Sequence, residues 1–356
     1  MSKKIIVACG GTGGHAFPGI AVARELRARG HHVTVWNSGR SIEGPVMKSW
    51  DGPTFSTGAK QLSAKNVFAN IFSLIRCRRE MKRQAPDALL AMGSYSSLPP
   101  VLAAAMLKVP VILHEANAVP GKAIDFLSRF AKRTALTFPS SESHLAGHPT
   151  AVTGLPVRAE IANGTRLEEV PPDMACVFVT GGSQGAHRVN ELASQALVMV
   201  RDILAKENPP RGLFVIHQTG AADEESVLQT YVAAGLNARV RAFESEMPRA
   251  FASADIVIAR AGASTCFELA AAGKPAFFLP LPTAVRNHQH FNAQYFVIGG
   301  GADAGDQNEL TPRALARAIA NRLLHPDELA KRAAKMKSLA TPDAAARVAD
   351  LVENPS

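Results

Sequence analysis

Twice along this chain a short apolar run ends in a glycine-rich turn that opens onto a helical pattern, and this repeat constrains the fold more than any other feature. The first run, 4–9, enters Gly10-Gly11-Thr12-Gly13-Gly14-His15; the second, 175–180, enters Gly181-Gly182-Ser183-Gln184-Gly185-Ala186-His187. A tight glycine turn between a buried strand and a helix opens a Rossmann-like unit, so the chain reads as two such units in series. Its 356 residues suit two domains of ordinary size.

Strand-like and helical runs alternate after each opening. Candidate strands at 32–36, 88–91, 109–114 and 151–153 are interleaved with helical patterns at 18–29, 98–107 and 121–130. In the second half, runs at 213–218, 238–242, 256–259 and 276–279 alternate with helical patterns at 187–204, 224–234, 265–272 and 312–323. Such alternation predicts an α/β protein with parallel sheets and crossover helices. The Gly154-Leu155-Pro156 turn marks a hinge, which gives an N-terminal domain at 1–157 and a C-terminal domain at 158–340. A last helix, 343–352, has no sheet to follow, and the segment 341–356 is expected to pack back on the N-terminal domain.

Composition narrows the setting. The chain is 47% apolar and 19% charged, and no stretch approaches the roughly 20 apolar residues of a membrane span. Residues 1–9 imitate a signal peptide, but the apolar run stops at Gly10-Gly11 and reads as a strand. Cys9, Cys77, Cys176 and Cys266 lie far apart without a CxxC pair and are expected to be reduced thiols of a cytoplasmic protein. Charge is uneven: the part ending at Val157 holds 19 Lys and Arg against 8 Asp and Glu, the remainder 20 against 22. The N-terminal domain therefore faces a polyanion, or simply has an unevenly charged solvated surface.

Both glycine turns are suited to holding phosphate on backbone N–H groups, or to serving only as tight turns for packing. Neither fits the Gly-x-Gly-x-x-Gly dinucleotide fingerprint, the second strand ends in Asn37 rather than an acid, and no Walker lysine is present. A third feature is more specific. The run 255–259 leads into Arg260-Ala261-Gly262-Ala263-Ser264-Thr265 and a helix bearing Glu268. Ser264 and Thr265 are placed to cap that helix and donate to a diphosphate, and Glu268 to accept both hydroxyls of a ribose, unless it is a buried structural carboxylate. Gln289 and Asn292, three apart, are placed to read sugar hydroxyls. His288 and His290 have no third ligand at a recognisable spacing, so no metal site is expected.

In order along the chain, several motifs resemble those of the MurG family, glycosyltransferase family 28: bacterial transferases that add N-acetylglucosamine (GlcNAc) to the lipid-linked muramyl-pentapeptide precursor of peptidoglycan. The motifs are the first glycine turn with Pro18-Gly19, Gly93-Ser94-Tyr95, His114-Glu115-Ala116-Asn117, Pro156-Val157-Arg158, the second glycine turn, Arg260-Ala261-Gly262-Ala263 with Glu268, and His288-Gln289 with Asn292-Ala293. The resemblance implies a glycosyltransferase B-type fold of two Rossmann-like domains facing across a cleft. It also implies UDP-GlcNAc as donor, the lipid I acceptor, inversion at the anomeric carbon, and neither cofactor nor obligatory metal. By position it places donor contacts at Thr12, Gly13, Gly14, Asn117, Arg158, Ser183, Glu244, Ala263, Ser264, Thr265, Glu268 and Gln289. Three positions depart from the family pattern: Leu155 replaces Asn, Ser94 replaces a second glycine, and Glu244 stands at a usually apolar place whose backbone meets the uracil.

Transfer needs a base for the acceptor hydroxyl and a clamp for the departing diphosphate. His15 is the candidate base, although a loop-capping or phosphate-binding role also suits it. Arg158, Ser183 and Ser264 are candidates for the clamp. In the segment 63–84, Val67, Phe68, Ile71, Phe72, Leu74 and Ile75 gather on one helical face ahead of Arg76, Arg78, Arg79, Lys82 and Arg83. This is the pattern of a helix that docks on an anionic membrane, or of an ordinary crossover helix whose apolar face packs on the sheet. With the lipid-linked acceptor, the resemblance implies the cytoplasmic face of the inner membrane as the location, as a peripheral protein. The rival readings are a diacylglycerol glycosyltransferase, a UDP-GlcNAc epimerase, and a nucleotide-regulated or nucleic-acid-binding protein; the last lacks an aromatic stacking pattern.

Overall fold

The computed structural model describes residues 1–11, 13–40, 43–61 and 63–355. It divides into two compact units, Met1–Arg158 with Thr341–Ser356, and Ala159–Ala340.

In the first unit the elements run β1 (Lys4–Ala8), α1 (Gly13–Ala28), β2 (His32–Asn37), α2 (Gly44–Met47), β3 (Thr54–Ser56), α3 (Val67–Gln84), β4 (Ala88–Ala91), α4 (Leu98–Leu107), β5 (Val111–Glu115), α5 (Lys122–Leu127), β6 (Arg133–Leu136) and β7 (Thr150–Val152). The sheet order is β3-β2-β1-β4-β5-β6-β7, with every adjacent pair parallel. Strand order reverses between β1 and β4, so the loops after these two strands flank the crevice where doubly wound sheets bind ligands. β1, β4 and β5 are apolar on both faces because helices cover both faces. The strands β3 and β6, each short and partly polar, carry no apolar run long enough to stand out in the sequence.

Two local differences matter for function. Helix α1 begins at Gly13, five residues before the expected start at position 18, and Pro18 lies inside it. Pro18 is the sixth residue of this helix and has no N–H to donate to the carbonyl four residues before it, so α1 forgoes one intrahelical bond there. Helix α3 buries Ser73, Cys77 and Met81, while Val67, Phe68, Ile71, Phe72 and Ile75 are exposed. The apolar face proposed for packing on the sheet is thus turned outward, with Phe68 at 76% and Phe72 at 70% exposure.

The second unit runs β8 (Ala175–Thr180), α6 (His187–Leu204), β9 (Leu213–Gln218), α7 (Glu224–Ala234), β10 (Asn237–Arg241), α8 (Met247–Ser253), β11 (Ile256–Ala259), α9 (Ala263–Ala272), β12 (Ala276–Phe278), α10 (His288–Ile298), β13 (Ala302–Ala304), α11 (Pro312–Leu324) and α12 (Pro326–Ser338). Its parallel sheet has the order β10-β9-β8-β11-β12-β13. The reversal falls between β8 and β11, whose loops are the second glycine turn and the Arg260 segment. The last helix, α13 (Ala344–Glu353), belongs to the first unit: Val348, Ala349 and Val352 join the core built on β1 and α1. Arg29 bonds Asp350 at 2.6 Å and Glu353 at 2.8 Å. Each unit is a Rossmann-like fold, and two such units make up the glycosyltransferase B-type fold.

Candidate active site

In the first unit the glycine turn is held by a carboxylate the sequence did not advertise. Glu43 is buried and accepts from Ser38 N at 3.0 Å, Gly39 N at 3.1 Å, the Ser38 hydroxyl and the N–H of Gly11. The Gly11 amide is therefore taken by an internal carboxylate. Glycine is required here by space: a Cβ on Gly10 would lie 2.6 Å from Ser38 N. Thr12 lies outside the described residues. Gly13 and Gly14 form the first turn of α1 and are only partly buried. His15 stands in that same turn rather than at the end of a loop, and its Nδ1 donates to Met92 O at 2.9 Å.

The loop after β4 wraps the glycine turn. Ser96 Oγ donates to Gly10 O at 2.6 Å, and Ser94 adopts φ 70°, ψ 165°, a region suited to the glycine it replaces. Arg158 stacks over Phe17 with its guanidinium carbon 4.4 Å from the ring centroid, which brings it beside the start of α1. The motif 114–117 is a buried scaffold. Glu115 accepts from Asn117 N at 2.7 Å, Asn117 Nδ2 at 3.1 Å and Gly121 N at 2.9 Å, so Asn117 is placed by its neighbour. Burial pushes the Glu115 carboxyl up to about 6 and pulls His114 down to about 4. Neutral His114 donates from Nε2 to Gly154 O at 3.3 Å. Leu155 is fully buried, with its N–H donating to Thr341 Oγ1 at 3.2 Å, so this position belongs to the core of the first unit.

In the second unit the glycine turn closes on itself through Gly185 N to Gly182 O at 2.9 Å, leaving Ser183 exposed at its tip. A Cβ on Gly185 would strike Thr219 O at 1.9 Å, and its φ is 72°, so this position admits only glycine. Helix α9 starts with Gly262 at the N-cap and no side chain capping it. Ser264 and Thr265 stand inside the first turn instead of capping it, which corrects their expected role. The first intrahelical bond of α9 runs from Cys266 N to Gly262 O at 3.0 Å, so the N–H groups of Ala263, Ser264 and Thr265 precede it at the helix start, and a Cβ on Gly262 would meet nothing within 4 Å. An anion fits there on both N–H geometry and helix dipole. Glu268 follows Ser264 by four residues on the same face and is 8% exposed.

Other expected contacts are drawn inward. Arg260 donates to Leu279 O at 2.8 Å and Pro280 O at 3.2 Å, and so ties β11 to the end of β12. Asn292 is fully buried and donates to Ala261 O at 3.1 Å, which braces the loop before α9. Gln289 accepts from Leu281 N at 3.0 Å through Oε1, which leaves recognition to its amide hydrogens. The Glu244 carboxylate is buried against Arg239 at 2.9 Å and 3.0 Å, so only its backbone is placed to meet a base. Among the described residues no three His, Cys, Asp or Glu side chains gather as a metal site would require.

Glu43 and Phe17 act on these loops from positions whose spacing carries no signal: Glu43 takes the backbone amides of Gly11, Ser38 and Gly39, and Phe17 meets Arg158, far along the chain. Comparison with known proteins agrees with both units. Residues 5–136 match the glycosyltransferase family 28 N-terminal domain, and residues 176–348 match the glycosyltransferase family 28 C-terminal domain. The UDP-N-acetylglucosamine–N-acetylmuramyl-(pentapeptide) pyrophosphoryl-undecaprenol N-acetylglucosamine transferase of Anaeromyxobacter sp. (strain Fw109-5) is 35% identical, covering 98% of this chain and 92% of that protein. The transferase of the same name from Stutzerimonas stutzeri (strain A1501) is 36% identical, covering 99% and 98%. The crystal structure of MurG from Acinetobacter baumannii is similar with a TM-score of 0.77 at 31% identity, covering 99% of both chains. With both domains matched and the likeness running nearly end to end, the chain belongs to glycosyltransferase family 28.

Proposed function

We infer that this chain transfers GlcNAc from UDP-GlcNAc to undecaprenyl-pyrophosphoryl-N-acetylmuramyl-pentapeptide, lipid I, with inversion, and so makes lipid II for peptidoglycan synthesis. The observation that carries this reading is the end-to-end likeness to transferases of that name, at 35% and 36% identity.

Within this reading the residues take the following roles. The start of α9 holds the diphosphate on the N–H groups of Ala263, Ser264 and Thr265, and Glu268 accepts the ribose hydroxyls. Ser183, Gln289 and the Glu244 backbone complete the donor contacts of the second unit. Thr12, Gly13, Gly14, Asn117 and Arg158 are the contacts of the first. In the reaction the acceptor oxygen bonds to the anomeric carbon from the face opposite the leaving group. The bond to UDP breaks as its electron pair moves onto the diphosphate, and the acceptor proton passes to His15. With Nδ1 donating to Met92 O, neutral His15 carries its lone pair on Nε2, which is the base. The cationic Arg158 and the α9 dipole oppose the charge that develops on UDP.

The exposed ridge of α3 seats the first unit on an anionic membrane surface, at the cytoplasmic face of the inner membrane. Arg76, Arg78, Arg79, Lys82 and Arg83 follow the ridge, and each basic residue near such a surface contributes about 1 kcal/mol before screening. No described helix is long and apolar enough to cross a membrane.

Purified protein is incubated with labelled UDP-GlcNAc and either lipid I or diacylglycerol. Label in lipid I alone is expected; label only in diacylglycerol, or free N-acetylmannosamine with neither lipid labelled, would sink the assignment.

A further inference from the structure

The second unit buries a cluster of ion pairs beside the loop 242–246, where β10 gives way to α8. Arg239, in the middle of β10 and 9% exposed, holds three carboxylates at once. Its Nε and Nη2 donate to the two oxygens of Glu244 at 2.9 Å and 3.0 Å, Nη2 also to Glu246 at 2.9 Å, and Nη1 to Glu169. A planar guanidinium that grips both oxygens of one carboxylate fixes orientation as well as distance. Glu244 in turn accepts from the N–H of Glu246 at 2.7 Å, within its own loop. The loop is therefore pinned to a strand that pairs along its whole length with β9.

Glu244 is 2% exposed, yet neither its main-chain N–H nor its C=O has a hydrogen-bond partner among the described residues. Nearly all buried main-chain groups are paired, so a donor and an acceptor left open on one residue point to a ligand that supplies their partners. The O4 and N3–H of uracil, an acceptor beside a donor, complement them. Cytosine carries a donor and an acceptor in the reverse order, and fits only if the peptide groups turn over. We propose that Arg239 is the positioning residue that makes this site select uracil over cytosine, by holding the peptide groups of Glu244 in one orientation. This rests on the reading of UDP-GlcNAc as the donor and adds to it the device that sets the choice of base.

The test measures the binding of UDP and of CDP to the full-length protein by calorimetry, with thermal melting as the check on folding. The wild type is expected to prefer UDP. Arg239→Lys keeps the charge but loses the two-pronged grip. It is expected to weaken UDP at least tenfold and to leave CDP within about twofold, so that the preference falls at least fivefold. Arg239→Leu combined with Glu244→Leu removes the pair together, which leaves no buried carboxylate without its cation and lets an apolar side chain hold the loop by packing. This double variant is expected to regain UDP affinity to within about threefold of the wild type. A lowered melting temperature with the preference intact in Arg239→Lys would make Arg239 structural and overturn the proposal. Equal losses of UDP affinity in the single and double variants would overturn it too, since Arg239 would not act through Glu244. A wild type that binds both nucleotides alike, or neither, would instead overturn the reading of the donor.

Discussion

The imidazole of His15 donates from Nδ1 to the carbonyl oxygen of Met92 at 2.9 Å, so the first turn of α1 is tied to the end of β4 across the point where strand order reverses. A carbonyl only accepts, which settles the tautomer of the neutral ring and leaves Nε2 as its basic atom. General-base catalysis typically contributes about 10²- to 10⁴-fold. His15→Ala should lower kcat by a factor in that range while the affinity for UDP-GlcNAc, measured by calorimetry, changes little. Loss of donor affinity at unchanged kcat would remove His15 from the proton transfer.

Glu268 is tested by its carboxylate alone. Hydrogen bonds to a charged group are worth about 1.5–3 kcal/mol each, and about 1.4 kcal/mol is tenfold in affinity. Glu268→Gln should weaken UDP binding by about ten- to a hundredfold, with the same melting temperature as the wild type. A variant that melts lower but binds UDP as before would make Glu268 structural.

Ser94 stands at φ 70°, ψ 165°, and a Cβ on its neighbour Gly11 would lie 2.7 Å from the Ser94 hydroxyl. Backbone in this region costs a residue with a side chain about 1–3 kcal/mol, while glycine gives back about 0.5–1 kcal/mol in unfolded-state entropy. Ser94→Gly is therefore expected to stabilise the protein by about 1 kcal/mol in urea unfolding. A fall in stability would mean that the serine side chain makes up for the strain.

Acid stability follows from two buried neutral histidines. His114 is pulled down to about 4 and His217 to about 3, in both cases mainly by burial; His217 accepts from Tyr231 Oη at 2.8 Å and donates to Asn190 Oδ1 at 3.2 Å. Below the ordinary value of 6.5 the unfolded chain takes up protons that the folded one refuses, so stability falls as pH drops from 6.5 toward 4. Glu115 has the opposite sign. Raised from 4.5 to about 6, it holds a proton in the folded state within that window, and its contribution is lost as pH rises through it. Near pH 5 the net is about one proton, a slope of about 1.4 kcal/mol per pH unit from these three groups. Urea midpoints from pH 7 to 4.5 should show the decline, and Glu115→Gln should steepen it. A flat profile in the Glu115→Gln protein would show that these histidines take up their protons in the folded state.

Phe68 and Phe72 are exposed and touch no core, so replacing them should leave folding intact. Phe68→Ser with Phe72→Ser is expected to cut pelleting with anionic vesicles by at least tenfold at 0.15 M salt, since each buried aromatic side chain contributes about 1.5–3 kcal/mol. Turnover of a short-chain, water-soluble acceptor should be unchanged. Full vesicle binding by the double variant would move the membrane contact off α3.

The two glycine turns, the central strands and the order of motifs were legible along the chain, because strand periodicity, tight turns and helix starts are local properties. From these alone the sequence determined an α/β protein of two Rossmann-like units, with a helix bearing Glu268 after the Arg260 segment. What decided the rest was long-range. Residue types alone could not tell that Asn292 turns inward to Ala261 while Gln289 accepts from Leu281 N, that Glu43 already occupies the Gly11 amide, or that α3 presents its phenylalanines to solvent. Each depends on which distant backbone or helix face arrives alongside, and a polar or apolar side chain takes its role from that neighbour: a buried partner makes it scaffold, and exposure leaves it for a ligand or a membrane.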